Sequence, residues 1–424
     1  MKGAKTDIRF RFVSTSITCL QCEWNSECSE MICPIAKSLH KLFLLVATTQ
    51  WNWGLYIFSI SNAQMNSKIL DKWLSPRWHK QARRRRGRIR KGEALARTFG
   101  KRSAVFDPHS SLRFIGDDHS SNGLSRAYKY EIAKWTNIYQ STPPPNRAVQ
   151  TLILAQPWDY PRLLAEPPEW FRDAYRIGLW VWELDQFPSD WRFALDIVHE
   201  IWTPSTFSAA ALRHGTDLPI RVVPHAVVNP TKSPLPRSQF GVRDDQFLGM
   251  AIMYLAACPD RKNPVAHTRA WARAFGNDSD VHLLMKVRFK KATEFARNAL
   301  VKEISGAKNI TLIEENFTDS DMSGFQRMAD VYLSLHRAEG YGLNIHEMLE
   351  LGIPTIATGW SGNMDFMPKY PIAFPVPFTM VPCKDRTFAY VGENLSWAEP
   401  DINVASEFLR AIQNNWRNNK RGNL

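Results

Sequence analysis

The stretch SLHRAEGYGLNIHEMLELGIPTIATGWSGNMD, residues 334–365, decides the fold. Asp330 to His336, entering it, reads as a buried strand, Arg337 to Gly342 as a turn, and Leu343 to Leu351 as a helix closed by Gly352 and Pro354. A strand, a turn and a helix in that order are the repeating unit of a parallel sheet. Glu339 falls in the turn, and Glu347, eight positions on, lies about one to two turns into the helix at roughly 3.6 residues per turn. Gly340 and Gly342 let backbone N–H groups approach a ligand at the helix N-terminus, where an anion is favoured. A carboxylate beside a phosphate cradle repels the phosphate itself, so Glu339 suits neutral hydroxyls and Glu347 a second set further along. A sugar joined to a nucleotide through phosphates has that layout.

An isolated pair of acids at this spacing is far more often an ordinary strand-turn-helix with a solvated acidic face, and it is the flanks that overturn that reading. Ser334-Leu-His-Arg precedes the first acid, Leu351-Gly-Ile-Pro-Thr-Ile-Ala-Thr follows the second, and Ser361-Gly362-Asn363 makes a small-residue turn. Together they resemble the acid-x7-acid signature of retaining, nucleotide-sugar-dependent glycosyltransferases of the GT-B type, the group 1 or GT4 kind. The resemblance implies an α/β fold with two Rossmann-like domains facing across a cleft. It implies that Glu339 contacts donor-sugar hydroxyls as a catalytic residue and that Glu347 holds the ribose. Backbone amides around Gly340, Tyr341, Gly342 and Leu343 would take the sugar and diphosphate.

Upstream, Phe247 to Met253 reads as the first strand of the same unit, and Asp260-Arg261-Lys262-Asn263-Pro264 opens its first helix, with Asn263 as N-cap and Pro264 at the first position. Family members similarly carry an Arg-Lys pair here, so Arg261 and Lys262 are expected on the donor phosphates. The preceding loop, Tyr254 to Pro259, lacks the arginine, or the hydroxyl and acid, that many relatives have, which puts donor identity in doubt. Val281 to Val287 and Asn309 to Ile313 continue the strands, and Lys286 faces either the cleft or the surface. Asp278-Ser-Asp280 and Asp319-Ser-Asp321 have a form that holds a metal in a different glycosyltransferase fold. The first precedes a strand at the end away from ligands and the second reads as a helix N-cap, so no metal or cofactor is expected. Trp397 to Asp401 and the helix from Val404 to about Trp416 resemble the closing helix of the family, which crosses back over the first domain.

The first domain reads as strands at Leu112 to Gly116, Val149 to Ala155, Arg176 to Trp182 and Ile220 to His225. Ser120 to Ala127 opens a helix, and its Gly123 matches the glycine loop of the acceptor domain, with one glycine where two or three are common. IGLWVWELDQFPSDW, residues 177–191, resembles a bacterial subset of the family. Glu183 there lies at the carboxyl end of a strand, where ligands sit in a doubly wound sheet. It is the candidate to orient or deprotonate the incoming hydroxyl; the alternative is a cap or salt bridge to a neighbouring loop. HEIWTPSTFSAAALR, residues 199–213, reads as strand, turn and helix, and Pro224, Pro230, Pro234 and Pro236 mark the linker.

The net charge of +13 invites a nucleic-acid reading until it is located: residues 1–102 hold 20 Lys+Arg against 6 Asp+Glu, leaving 34 against 35 for the rest. The run Arg83 to Lys91 suits a solvated tail, anionic lipid or nucleic acid, in that order, since no sequence-reading motif accompanies it. Cys19, Cys22, Cys28 and Cys33 come in two pairs only five residues apart, far closer than in zinc fingers, and Cys258 and Cys383 read as buried thiols of a reducing cytoplasm. Leu42 to Ile60 is uncharged but broken by Thr48, Thr49, Gln50 and Asn52, a poor membrane span or signal. Met65 is read as the natural start, with the residues before it an upstream over-reading. The organisation expected is a basic extension without regular order over 1–103, an acceptor domain over 104–230, a donor domain over 231–400, and a C-terminal helix over 401–424 crossing back.

The activity implied is transfer of a sugar from a nucleoside-diphosphate donor to a glycan or lipid-linked acceptor in the cytoplasm or at the inner membrane face, in surface-polysaccharide synthesis. Two rivals stand beside it: a non-catalytic sugar-nucleotide binder of the same fold, and a nucleic-acid binder acting through the basic run.

Overall fold

The computed structural model describes residues 76–422 apart from 101–103, 105, 107–110, 117–122, 139–148, 229–231, 391 and 393. The readings of the first four cysteines, Leu42 to Ile60, Met65, Ser120 to Asn122 and Pro230 fall outside the described residues.

Five parallel strands form the first sheet in sequence order: β1 (Ser111–Gly116), β2 (Val149–Leu154), β3 (Tyr175–Leu179), β4 (Glu200–Thr203) and β5 (Ile220–Val222). Alternate side chains of β2 enter opposite layers, Ile153 packing with Tyr160, Trp180 and Trp191 on one face, Leu152 and Leu154 with Tyr128 and Trp202 on the other. A sheet covered on both faces needs the near-continuous apolar strands seen here.

The second sheet has six parallel strands: β6 (Phe247–Tyr254), β7 (Val281–Arg288), β8 (Ile310–Ile313), β9 (Val331–Ser334), β10 (Thr355–Thr358) and β11 (Ala373–Val376). Their spatial order is β11-β10-β9-β6-β7-β8. Counted within the domain this is the doubly wound order 3-2-1-4-5-6, which defines a Rossmann-type sheet. The fold is therefore α/β with two Rossmann-like sheets. A hairpin of β12 (Phe378–Pro382) and β13 (Ser396–Pro400) follows.

Two elements differ from expectation. Residues 76–99, inside the supposed unordered extension, form a helix, α1 (Pro76–Phe99), whose Leu95, Ala96 and Phe99 are buried in the first core. These positions follow an apolar stripe through Ala82, Ile89 and Gly92, and Arg85 pairs with Asp190 of the body. Gly92 allows the approach: a Cβ there would stand 2.5 Å from the Phe193 ring. The C-terminal helix, found at Ile402–Gly422, also departs from the expected crossing. Its stripe of Ile402, Ala405, Leu409, Ile412 and Trp416 lies in the core of the second sheet, Trp416 meeting the Phe247 ring at 5.4 Å. The aromatic cluster of Phe247, Trp271 and Phe275 captures it.

Candidate active site

In the order 3-2-1-4-5-6 the connections diverge between the first and fourth strands, and the crevice opens at their carboxyl ends. Here those strands are β6 and β9. With α2 the helix Gly123–Ile138 of the first domain, the loop after β6 brings Arg261 and Lys262 ahead of α3 (Pro264–Phe275) and the loop after β9 brings Glu339 and the start of α4 (Leu343–Glu350), so residues from both signatures meet at one point.

After β6 comes a single turn of helix, Pro259–Lys262, then Asn263 at φ 52, then Pro264 at the first position of the next helix, Pro264–Phe275. Asn263 precedes that helix as expected but does not cap it. A capping side chain needs an extended backbone at that residue; in the left-handed conformation the amide donates instead to Glu399 Oε1 at 3.1 Å.

Arg261 is buried. Its Nη1 donates to the Ala338 carbonyl at 2.7 Å and lies 3.2 Å from Glu339 Oε2, while Nη2 is 3.4 Å from Glu183 Oε1. Lys262 Nζ pairs with Glu339 Oε1. The Ser361-Gly362 turn holds Glu339 from behind: the Glu339 amide donates to Ser361 Oγ at 2.8 Å and its carbonyl accepts from the Gly362 amide at 2.9 Å. Burial pushes the Glu339 carboxyl up, but Lys262 and then Arg261 outweigh it and hold the group down to about 2. The cation pair thus stands between two acidic side chains, one from each domain, with Glu183 just beyond the end of β3 where it was expected. The salt-bridge alternative for Glu183 is what the geometry shows, and its partner is Arg261.

Gly342, at φ 90, starts α4, and the first helical bond runs from the His346 amide to the Gly342 carbonyl at 3.1 Å. Amides of the first turn have no partner within the helix, and the dipole there favours an anion. Gly340 lies hard against the first domain: a Cβ would meet Val181 Cγ1 at 2.3 Å. Tyr341 contributes only backbone, since its ring is buried against Phe366 and its hydroxyl lies 2.8 Å from His346 Nδ1. Leu343 is half-buried at the helix start.

Glu347 is fully inside the protein, accepting from Gln326 Nε2 at 2.8 Å and Arg126 Nη2 at 2.7 Å. Burial pushes its carboxyl above the ordinary value, with Arg126 opposing. Arg126 lies one turn into the helix Gly123–Ile138, so the helix singled out for Gly123 delivers an arginine to Glu347 in the second domain. Sequence reading missed it, and it missed Tyr390, whose ring meets Trp182 edge-on at 5.4 Å and whose phenol is pushed up by burial, with Arg261 opposing the rise and Glu183 adding to it. Lys286 is not at the surface; it is buried with Nζ 5.1 Å over the Phe317 ring.

Asp278 and Asp280 face Arg417, at 3.7 and 3.6 Å, and Asp319 opens a helix capped by the Thr318 hydroxyl. Among the described residues no group of three or more His, Cys, Asp or Glu side chains is placed to hold a metal ion, and no helix is long and apolar enough to cross a membrane.

No protein-family model and no curated protein matches the chain. Among solved structures, a trehalose-6-phosphate synthase matches 54% of this chain and 61% of its own length at 10% identity and TM-score 0.42. The sucrose-phosphate synthase of Thermosynechococcus elongatus matches 68% and 67% at 16% identity and 0.46. A glycosyltransferase from Rickettsia africae matches 64% and 85% at 13% identity and 0.46. At these identities and scores the likeness adds nothing to the strand order described above.

Proposed function

We propose that the chain is a retaining glycosyltransferase that moves a sugar from a nucleoside-diphosphate donor to a hydroxyl of a glycan or lipid-linked acceptor. The observation that carries this reading is the meeting, at the switch point of the second sheet, of Arg261 and Lys262 with Glu339 and the amide-bearing start of α4, opposite Glu183. In the reaction the bond between the anomeric carbon and the diphosphate oxygen breaks, and the diphosphate leaves with the electron pair. Arg261, Lys262 and the first-turn amides of α4 meet that charge electrostatically, so the reading assigns no metal to the step. Glu339 holds the donor-sugar hydroxyls and Glu347 the ribose. The acceptor hydroxyl, oriented by Glu183, bonds to the anomeric carbon on the face the diphosphate leaves, and its proton passes to the leaving phosphate oxygen. The group 1 likeness of the signature supports retention and a role in bacterial surface polysaccharides. The cationic outer face of α1 supports work at an anionic membrane surface.

Thermal unfolding in the presence of UDP-, GDP- and ADP-sugars tests the reading, and one of them should raise the midpoint. Glu339→Ala should abolish transfer from that donor. Glu347→Ala should mainly weaken its binding, by about 1–3 kcal/mol through lost hydroxyl contacts. Full activity of the first variant would refute the assignment.

A further inference from the structure

Arg126 stands 221 positions from Glu347 in sequence and belongs to the helix Gly123–Ile138 on the first sheet, yet it ends on the donor side of the second. Its Nη2 donates to Glu347 Oε2 at 2.7 Å and to Asn344 Oδ1 at 2.6 Å, two acceptors three residues apart on one face of α4. The Glu347 side chain is only 2% exposed. A carboxylate at that depth is strongly disfavoured without a partner cation. We propose that Arg126 is a positioning residue for the nucleotide-sugar donor, delivered from the first domain to fix the Glu347 carboxylate against the ribose. The proposal rests on the reading of Glu347 as the ribose-holding residue and adds the group on which that role depends.

The charges around Glu347 show why an arginine is needed. Asp319, at the start of its helix, acts against the ionised carboxylate, and the phenols of Tyr130 and Tyr332 lie near enough to be raised by it. Gln326 supplies a neutral hydrogen bond, and Arg126 supplies the opposing positive charge. The planar guanidinium reaches both acceptors of α4, which a single ammonium does not do with the same geometry. The contact spans the two domains, so separating them takes Arg126 away from Glu347 and removes the positive charge that opposes its protonation. Donor affinity and domain closure are then one equilibrium.

Calorimetric titration with UDP, GDP and ADP, between about pH 5.5 and 8.5, tests this in the full chain. The native chain should bind one of the three, and its pH profile, set by the terminal phosphate of the nucleotide, is the reference for the variants. Arg126→Ala should bind it about 10- to 100-fold more weakly at the acidic end and regain affinity as rising pH ionises Glu347. Arg126→Lys should lose about three- to tenfold without gaining the pH dependence, and it decides the matter alone if the alanine variant does not fold. Native affinity in Arg126→Lys, or the native pH profile in Arg126→Ala alongside weakened binding in Glu347→Ala, would make Arg126 an interdomain strut and overturn the proposal. Native affinity in Glu347→Ala, or no binding of any of the three by the native chain, would remove the ribose reading and the proposal with it.

Discussion

Glu339 and His267 give the site a pH dependence of definite sign. Glu339 is held to about 2 against its own burial by Lys262 and Arg261. A depressed carboxylate contributes stability above its unfolded value near pH 4.3 and loses it as pH falls through about 2, on the order of 3 kcal/mol here. His267 ties the two ligand loops together: its Nε2 accepts from the Leu335 amide and its Nδ1 faces the Asn263 carbonyl, both at 3.0 Å. Burial lowers it to about 4, and lowers the buried His336 to about 3. A lowered histidine stabilises above its ordinary value near 6.5 and loses that contribution as pH falls toward the folded value. Unfolding free energy from urea titrations should therefore begin to fall below about pH 6.5, with a shallower slope in His267→Gln. A flat curve between about pH 6.5 and 4 would contradict this assignment. At this scale the chain was readable where chemistry is local. Arg261, Lys262 and Glu339 each sit in a turn whose strand and helix are marked by neighbouring residues. Arg126 was not, because nothing around it distinguishes it from the other basic residues and its partner lies in another domain.

The two misread elements are both helices. In α1 the cations dominate the sequence, and the buried stripe shows only once the Phe171 ring is seen 5.7 Å from Phe99. Phe99→Ala should cost about 3–5 kcal/mol, as for a large aromatic removed from a core. An unordered extension would show no change in the unfolding midpoint, so calorimetry separates the two descriptions. Arg83, Arg84, Arg86, Arg88, Arg90 and Lys91 all face solvent on the same helix. Replacing Arg83, Arg84 and Arg88 by Glu should abolish sedimentation with phosphatidylserine vesicles while leaving the midpoint nearly unchanged; unaltered sedimentation would refute membrane docking by this face. The C-terminal helix was placed close to its true span, but its destination was not legible. A periodic apolar stripe states that a helix packs, not on what, and here the aromatic cluster of the second sheet decides.

Over the whole molecule the two domains are joined at the site. Ser205 Oγ donates to the Gly340 carbonyl at 2.6 Å, the Thr206 amide and hydroxyl both donate to Asp365 at 2.6 Å, and the Arg261–Glu183 and Arg126–Glu347 pairs cross between the sheets. Gly340 lies at one of these approaches. Gly340→Ala would press a methyl onto Val181, whose branched side chain cannot turn aside freely. It should enlarge the radius of gyration measured by X-ray scattering and suppress transfer, with the fold intact; an unchanged radius with full activity would show that closure does not depend on this contact. The doubly wound second sheet was legible because its strands are apolar runs separated by marked turns, whereas the spatial order that creates the crevice comes from pairing over long distances. The domain boundaries at 104–230 and 231–400 remain our proposal for how the two sheets divide the chain.

The central claim is that a nucleoside-diphosphate sugar seats between the loops following β6 and β9. Amide hydrogen exchange with and without the donor that raises the unfolding midpoint measures this directly. The account predicts slowed exchange across 259–263 and 340–346, with the outer strand β8 unaffected; protection confined to other segments, with 340–346 unchanged, would contradict it.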